Sequence, residues 1–293
     1  MRAWWWLLCV SVGLQAQTVG ALSEVPAVIK APEGQAFYAE QMSGVMRAAP
    51  YGEWPEGLDA SARAAFLSWL APSESEATLI TLGAKRWQRD GLFVGAACFA
   101  PDQRNAVEAI GAGETTCGTG YVAGASVPNR FYVGVFEGGG GVLKPLARLG
   151  GPLAEAHEGP DGEVRRPDAY NKLDLAPYRI RPNEVAIGVR AGLQVGYSGG
   201  GAYVEYLELY RVQEGELVNV FNGLVYAFSD IAGEWHSDGT RAHDIDEAQW
   251  QVVMLPTQTH GFFDLQLRQG RTRQTYVWSV SEARYVARAS RPS

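Results

Sequence analysis

The sequence predicts a mainly β protein, an antiparallel β-sandwich or a related two-unit β architecture preceded by short helices. Three observations carry this. Between Glu184 and Phe228, apolar residues alternate with polar ones in three runs, separated by the glycines Gly196–Gly201 and by Gln213-Glu214-Gly215. Alternation bounded by glycine and polar clusters is the mark of strands and tight turns. Shorter runs of the same kind recur at 77–82, 92–98, 131–136, 142–149, 251–255, 263–267 and 275–280. Helical periodicity is confined to the first quarter of the chain.

From the start, Met1–Ala16 reads as a signal peptide: Arg2 gives a positive start, Trp4–Leu14 an apolar run, and Ala16 or Ala21 a small residue for cleavage. The apolar run falls short of the about 20 residues that cross ~30 Å of hydrocarbon, so no membrane span is expected in the mature chain. The implied location is periplasmic or secreted. Loss of Cys9 with the leader leaves Cys98 and Cys117, an even pair expected to form a disulfide in an oxidising compartment.

The formal charge of −7, with no basic run longer than Arg165-Arg166, argues against nucleic-acid binding, which needs clustered Lys and Arg on phosphates. No cofactor motif is found. An envelope protein or a glycan is the partner class left open.

Residues 17–73 are rich in Ala, Pro and Gly. Tyr38, Met42, Val45 and Met46 fit one helix face, and 62–70 fits a second helix, capped by Asp59 or Ser61, with Phe66, Trp69 and Leu70 on one side and Pro72 as its stop. A first β unit is expected over 74–154, interrupted by a long Gly-, Ala- and Thr-rich loop at 100–129 that the disulfide would close. Residues 155–180 are charged and punctuated by Pro and Gly, and predict a linker.

The second β unit, 181–290, echoes the first. Shifted by 74, 131–149 lies on 205–223 without a gap: Val133 meets Leu207, Val135 meets Leu209, and Gly141 meets Gly215. Val94-Gly95 matches Ile187-Gly188 at another offset, so two copies of one strand–hairpin unit are expected. Residues 229–249 read as a polar loop before the last strands. The run THGFFDLQL (259–267), a charged turn and TYVWSV (275–280) resemble the outer hairpin of an integrin-type propeller blade, the FG-GAP repeat. The calcium loop Asp-x-Asp-x-Asp-Gly of that family is not present, so the resemblance brings over neither fold nor ligand.

Three constellations bear on chemistry. Gly196-Tyr197-Ser198-Gly199-Gly200 fits Gly-x-Ser-x-Gly, which serves a hydrolase only when the serine sits on a strand-to-helix elbow. The strand-like run after it argues against that. His236, Asp238, His243, Asp244 and Asp246 crowd eleven residues and offer ligands for a divalent metal, against a solvated acidic loop as the plainer reading. Tyr197, Tyr203, Trp235, Trp250, Trp278 and Tyr285 are candidates for sugar stacking, although aromatics on strands usually build cores. His157 and His260 stand alone and read as surface or turn residues. The expectation is a non-catalytic binding or structural module of a bacterial-type cell envelope. The alternatives are a secreted hydrolase, working through Ser198 or the 236–246 loop, and a carbohydrate-binding module.

Overall fold

The computed structural model describes residues 50–237 and 241–288. The leader and the helix expected at 38–46 lie outside these residues, as does Asp238. The described chain is mainly β.

Helix α1 (Ala60–Leu70) begins where Asp59 accepts a hydrogen bond from the Ala62 N–H at 2.8 Å, and it ends before Pro72. After a 3₁₀ turn at Glu76–Thr78 come β1 (Leu79–Trp87) and β2 (Arg89–Phe99). Helix α2 (Gln103–Gly111) and the hairpin β3 (Thr119–Val122) and β4 (Ala125–Pro128) follow, then β5 (Arg130–Gly139) and β6 (Val142–Arg148). A small ribbon, β7 (His157–Glu158) and β8 (Val164–Arg165), precedes β9 (Ala169–Arg181) and β10 (Glu184–Tyr197). Next are β11 (Gly200–Gln213), β12 (Glu216–Trp235) and β13 (Arg241–Gln249). The chain ends in β14 (Gln251–Thr259), β15 (Phe262–Gln269), β16 (Thr272–Ser279) and β17 (Arg284–Ala287).

Strands from both halves share one sheet, in the order β1-β2-β5-β6-β12-β11-β10-β9, with β13 added beyond β12. The pairing is antiparallel everywhere except between β6 and β12, which meet in parallel through the single pair Arg148–Glu216. The sheet curls until its edge strands approach. Lys85 Nζ donates to the Leu173 carbonyl at 3.0 Å, and residues 50–53 hydrogen-bond to both edges, Leu173 N–H to Pro50 O and Ala84 N–H to Glu53 O. Val94, Ala96, Phe131, Val133, Val135, Ile187, Val189 and Ala191 fill the concave side, all but fully buried. Tyr51 is buried among them; its hydroxyl donates to the Tyr170 carbonyl and accepts from the Cys117 N–H.

Two packings cover the convex side. On the β2–β5 region, Gly95 and Gly134 are directly paired, and their missing side chains make a trough. A Cβ on Gly95 would lie 2.5 Å from Phe66, and one on Gly134 2.8 Å from Leu70 and Trp69. Helix α1 is seated in that trough, and full burial of Phe66 and Leu70 is worth about 1.5–3 kcal/mol each. On the β9–β12 region lies the second sheet, β14-β15-β16-β17, with Leu265, Leu267, Trp278 and Tyr285 packed on Leu207, Leu209 and Phe221.

Several expectations are corrected here. The supposed linker at 155–180 ends in the thirteen-residue strand β9, an integral edge of the large sheet. Two separate β units give way to one sheet built from both, with the second sheet packed on it. The loop at 100–129 contains α2 and a hairpin; Asp102 caps α2 by accepting from the Asn105 N–H, and Asn105 in turn holds Tyr121 through its N–H and carbonyl. The polar loop at 229–249 is the far end of β12 paired with β13. The expected disulfide is present: Cys98 on β2 is bonded to Cys117, with Cα atoms 5.5 Å apart.

His157 is no surface residue. It is buried, stacks on Tyr206 at 4.5 Å, and pairs with fully buried Glu208 at 2.6 Å, whose other oxygen accepts from Tyr210 at 2.5 Å. Burial together with the Glu208 charge pushes the Tyr210 hydroxyl well above its ordinary pKa. A carboxylate so far from water needs both partners, because an unpaired buried charge is strongly destabilising. His260 does sit in a turn, with positive φ, before Gly261.

Candidate functional site

Beyond the curled body, the ends of β10, β11 and β12 run on together with β13 as an arm. Cross-strand pairing puts Gly196, Gly201 and Asp230 in one row, and Gln194, Tyr203 and Phe228 in the next, all on one face. The β3–β4 hairpin adds Thr119, Tyr121 and Ser126 to this face, and Asp168 adds a carboxylate. Together they line an open cleft of about 640 Å³, within the size range of small-molecule sites.

Its floor is a second directly paired glycine couple, Gly196 and Gly201. Glycine inside a strand marks a close approach by another backbone or by a ligand. The first such couple, Gly95 and Gly134, is filled by α1. This one is open: nothing lies within 4 Å of a Cβ built on Gly196, and only backbone atoms lie near one on Gly201. Around the floor stand the rings of Tyr203, Phe228 and Tyr121, the last 68% exposed. The Tyr203 hydroxyl belongs to a polar network with Asn171 and Glu205, and burial with the Glu205 charge beside it pushes the phenol upward.

Two carboxylates edge the cleft. Asp168 accepts from the Gln194 N–H at 2.7 Å and from Arg165 at 3.3 Å. Asp230 pairs with His243 Nδ1 at 2.6 Å. Among the described residues neither Lys nor Arg lines the cleft. The site therefore offers hydrogen-bond acceptors and flat apolar faces, and repels anions.

The residues singled out from sequence are dispersed. Ser198 lies in the two-residue turn between antiparallel β10 and β11, where Gly199 takes the positive φ. No helix follows, so the elbow that would activate it is not formed, and the Gly-x-Ser-x-Gly pattern is a turn sequence. His236 is exposed just past the end of β12. His243 and Asp244 are neighbours on β13 and so project to opposite faces. His243 joins Asp230, while Asp244 and Asp246 face the other way. Among the described residues no three His, Cys, Asp or Glu side chains are grouped to hold a metal. Of the aromatic candidates, Trp278 and Tyr285 are core and Trp250 packs against the same core. Trp235 and Tyr197 are exposed on the arm, and Tyr203 alone reaches the cleft. Sequence reasoning missed Tyr121, Phe228 and Asp168. The only signal was the pair of strand glycines, which the serine motif disguised.

Compared with family models, with curated proteins and with solved structures, the chain matches none.

Proposed function

We propose that this is a periplasmic or secreted binding protein whose arm cleft takes a neutral carbohydrate. The observation that carries the reading is the open Gly196–Gly201 floor flanked by Tyr203, Phe228 and Tyr121. A pyranose ring has flat C–H faces that stack on aromatic rings, and its hydroxyls donate to carboxylates such as Asp168 and Asp230. A floor without side chains lets the ring lie on the backbone. The disulfide supports the export half of the reading, since such bonds persist in oxidising compartments.

Gly196→Val tests the cleft. Gly196 does not have a positive φ and nothing lies within 4 Å of a Cβ placed there, so the backbone accepts a side chain that fills the floor. Calorimetric titration with a panel of neutral oligosaccharides should show binding to the natural protein and a loss of roughly tenfold or more in the variant, equivalent to about 1.4 kcal/mol. Equal affinity in both, or no binding across the panel, rejects the proposal.

A further inference from the structure

A second cleft, of about 310 Å³, has the opposite chemistry. It lies on the outer face of the small sheet and is lined by Gln249, Gln251, Arg268, Gln269, Gly270 and Arg273, with no carboxylate among them. Gln251 on β14, Arg268 on β15 and Arg273 on β16 are directly opposed in one row. Like charges directly opposite across strands destabilise a sheet, yet this row sets one arginine against another. In a chain of net charge −7 an acidic neighbour would be easy to supply. Among the described residues neither arginine has a carboxylate partner, and neither does Arg271 in the connecting turn.

The guanidinium groups are nonetheless held in place. Arg268 donates through Nε to Gln266 Oε1 at 2.6 Å, which leaves both of its Nη groups unused. Arg273 donates through Nη1 to the carbonyls of Gly270 and Thr272 at 2.6 and 2.8 Å. Gln249, Gln251 and Gln269 add amide donors around them. Two anchored guanidinium groups side by side in one row, with amides lining the same cleft, suit the charge and hydrogen-bonding of a tetrahedral oxyanion.

We propose that this row is a binding site for a phosphate or sulfate group, separate from the arm cleft. A bound oxyanion turns the Arg268–Arg273 opposition from a repulsion into a bridge. The group is presented either by the free ion or by an anionic lipid headgroup, and both use the same contacts.

The test is melting temperature in low-salt buffer against inorganic phosphate, with chloride at matched ionic strength as the control for screening. Phosphate should raise the melting temperature of the natural protein progressively, by mass action, well beyond chloride. Arg268→Gln and Arg273→Gln should each lose that response. Without oxyanion, Arg273→Gln should melt at or above the natural protein, and phosphate should reverse the order; a variant that merely misfolds cannot show this crossover. Co-sedimentation with phosphatidylglycerol vesicles separates the sources. Arginine-dependent pelleting without a phosphate response assigns a headgroup, and the phosphate response alone assigns the free ion. The proposal is overturned if chloride matches phosphate and vesicles do not pellet the protein, or if the variants respond as the natural protein does. Gly196→Val should leave all of these readings unchanged, so the site stands or falls apart from the carbohydrate cleft.

Discussion

Val135 and Leu209 hold the same place in two hairpins and point to opposite sides of one sheet. Val135 pairs with Ala147 and Leu209 with Phe221, each immediately before a bulge, and every other pair of the first hairpin recurs 74 residues on. Yet Val135 belongs to the concave core and Leu209 to the core under the small sheet. The strand order explains this. It is mirrored about a parallel β6–β12 junction, and a two-fold axis along the strands is the operation that mirrors order, keeps strands parallel and turns the sheet over. Matching positions of the two hairpins thus enter different cores. The upstream match is corrected: Leu209 pairs with Gly188 while Val135 pairs with Val94, so the counterpart of Val94 is Gly188 and not Ile187.

The shared turn gives the first prediction. Gly140-Gly141 and Glu214-Gly215 both take positive φ, the geometry favoured in two-residue hairpins, but Glu214 does so at +52° with a Cβ. Glu214→Gly should stabilise the protein by about 0.5–1 kcal/mol, and Gly215→Ala should destabilise it by about 1–2 kcal/mol. Urea denaturation of the two variants checks the opposite signs; destabilisation by Glu214→Gly would show that the turn is not strained.

A second prediction concerns the disulfide. Cys98 and Cys117 are 19 residues apart, and such a loop is worth about 3 kcal/mol by chain entropy. Replacing both with Ala should lower the melting temperature by roughly 6–12 °C, at about 2–4 °C per kcal/mol for a chain of this size. Both cysteines are buried, so dithiothreitol should reduce the bond slowly until denaturant opens the fold. Rapid reduction under native conditions would contradict this packing.

The third prediction is a pH dependence. Burial alone would raise the Asp174 pKa, but Arg190 at 2.6 Å, the Tyr178 hydroxyl and the Ala176 N–H outweigh it and hold the carboxyl below its ordinary value. A carboxyl depressed in the folded state binds its proton more readily in the unfolded chain. Its contribution is thus complete above the unfolded value of about 3.9 and is lost as pH falls through the folded value. Arg190→Met should lower stability near neutral pH and shrink or abolish this acid loss, because burial is then no longer outweighed; urea midpoint against pH reads both effects. Identical acid profiles for the variant and the natural protein would remove Arg190 as the cause.

The legible parts of the fold are those where one rule acts alone. Alternation and turn glycines show β5–β6 and β11–β12, and Asp59, Phe66 and Pro72 show α1. Strand β9 is hidden because its buried residues, Tyr170, Leu173, Tyr178 and Ile180, lose period two at register shifts, with Pro177 standing at one of them. Strand β13 is hidden because its side chains are largely solvated on both faces, so nothing in RAHDIDEAQ need alternate. The candidate site was less legible still. Asp168, Tyr121, Tyr203 and Asp230 come from four places in the chain, and only pairing brings them together. His157 and Glu208 are likewise 51 residues apart, which no local pattern records.

The tether at Cys117 has a consequence for the arm cleft. One wall of that cleft, with Thr119 and Tyr121, begins two residues after the bond that fixes it to β2. The other holds are hydrogen bonds: Asn105 grips Tyr121, and Tyr51 and Tyr170 hold the backbone of Cys117. Oxidation therefore does more than staple a loop: it adds a covalent hold on the wall of the cleft. If the cleft takes the proposed carbohydrate, a reduced chain should keep its floor and carboxylates but bind more weakly, which titration of the Cys98→Ala/Cys117→Ala variant would read.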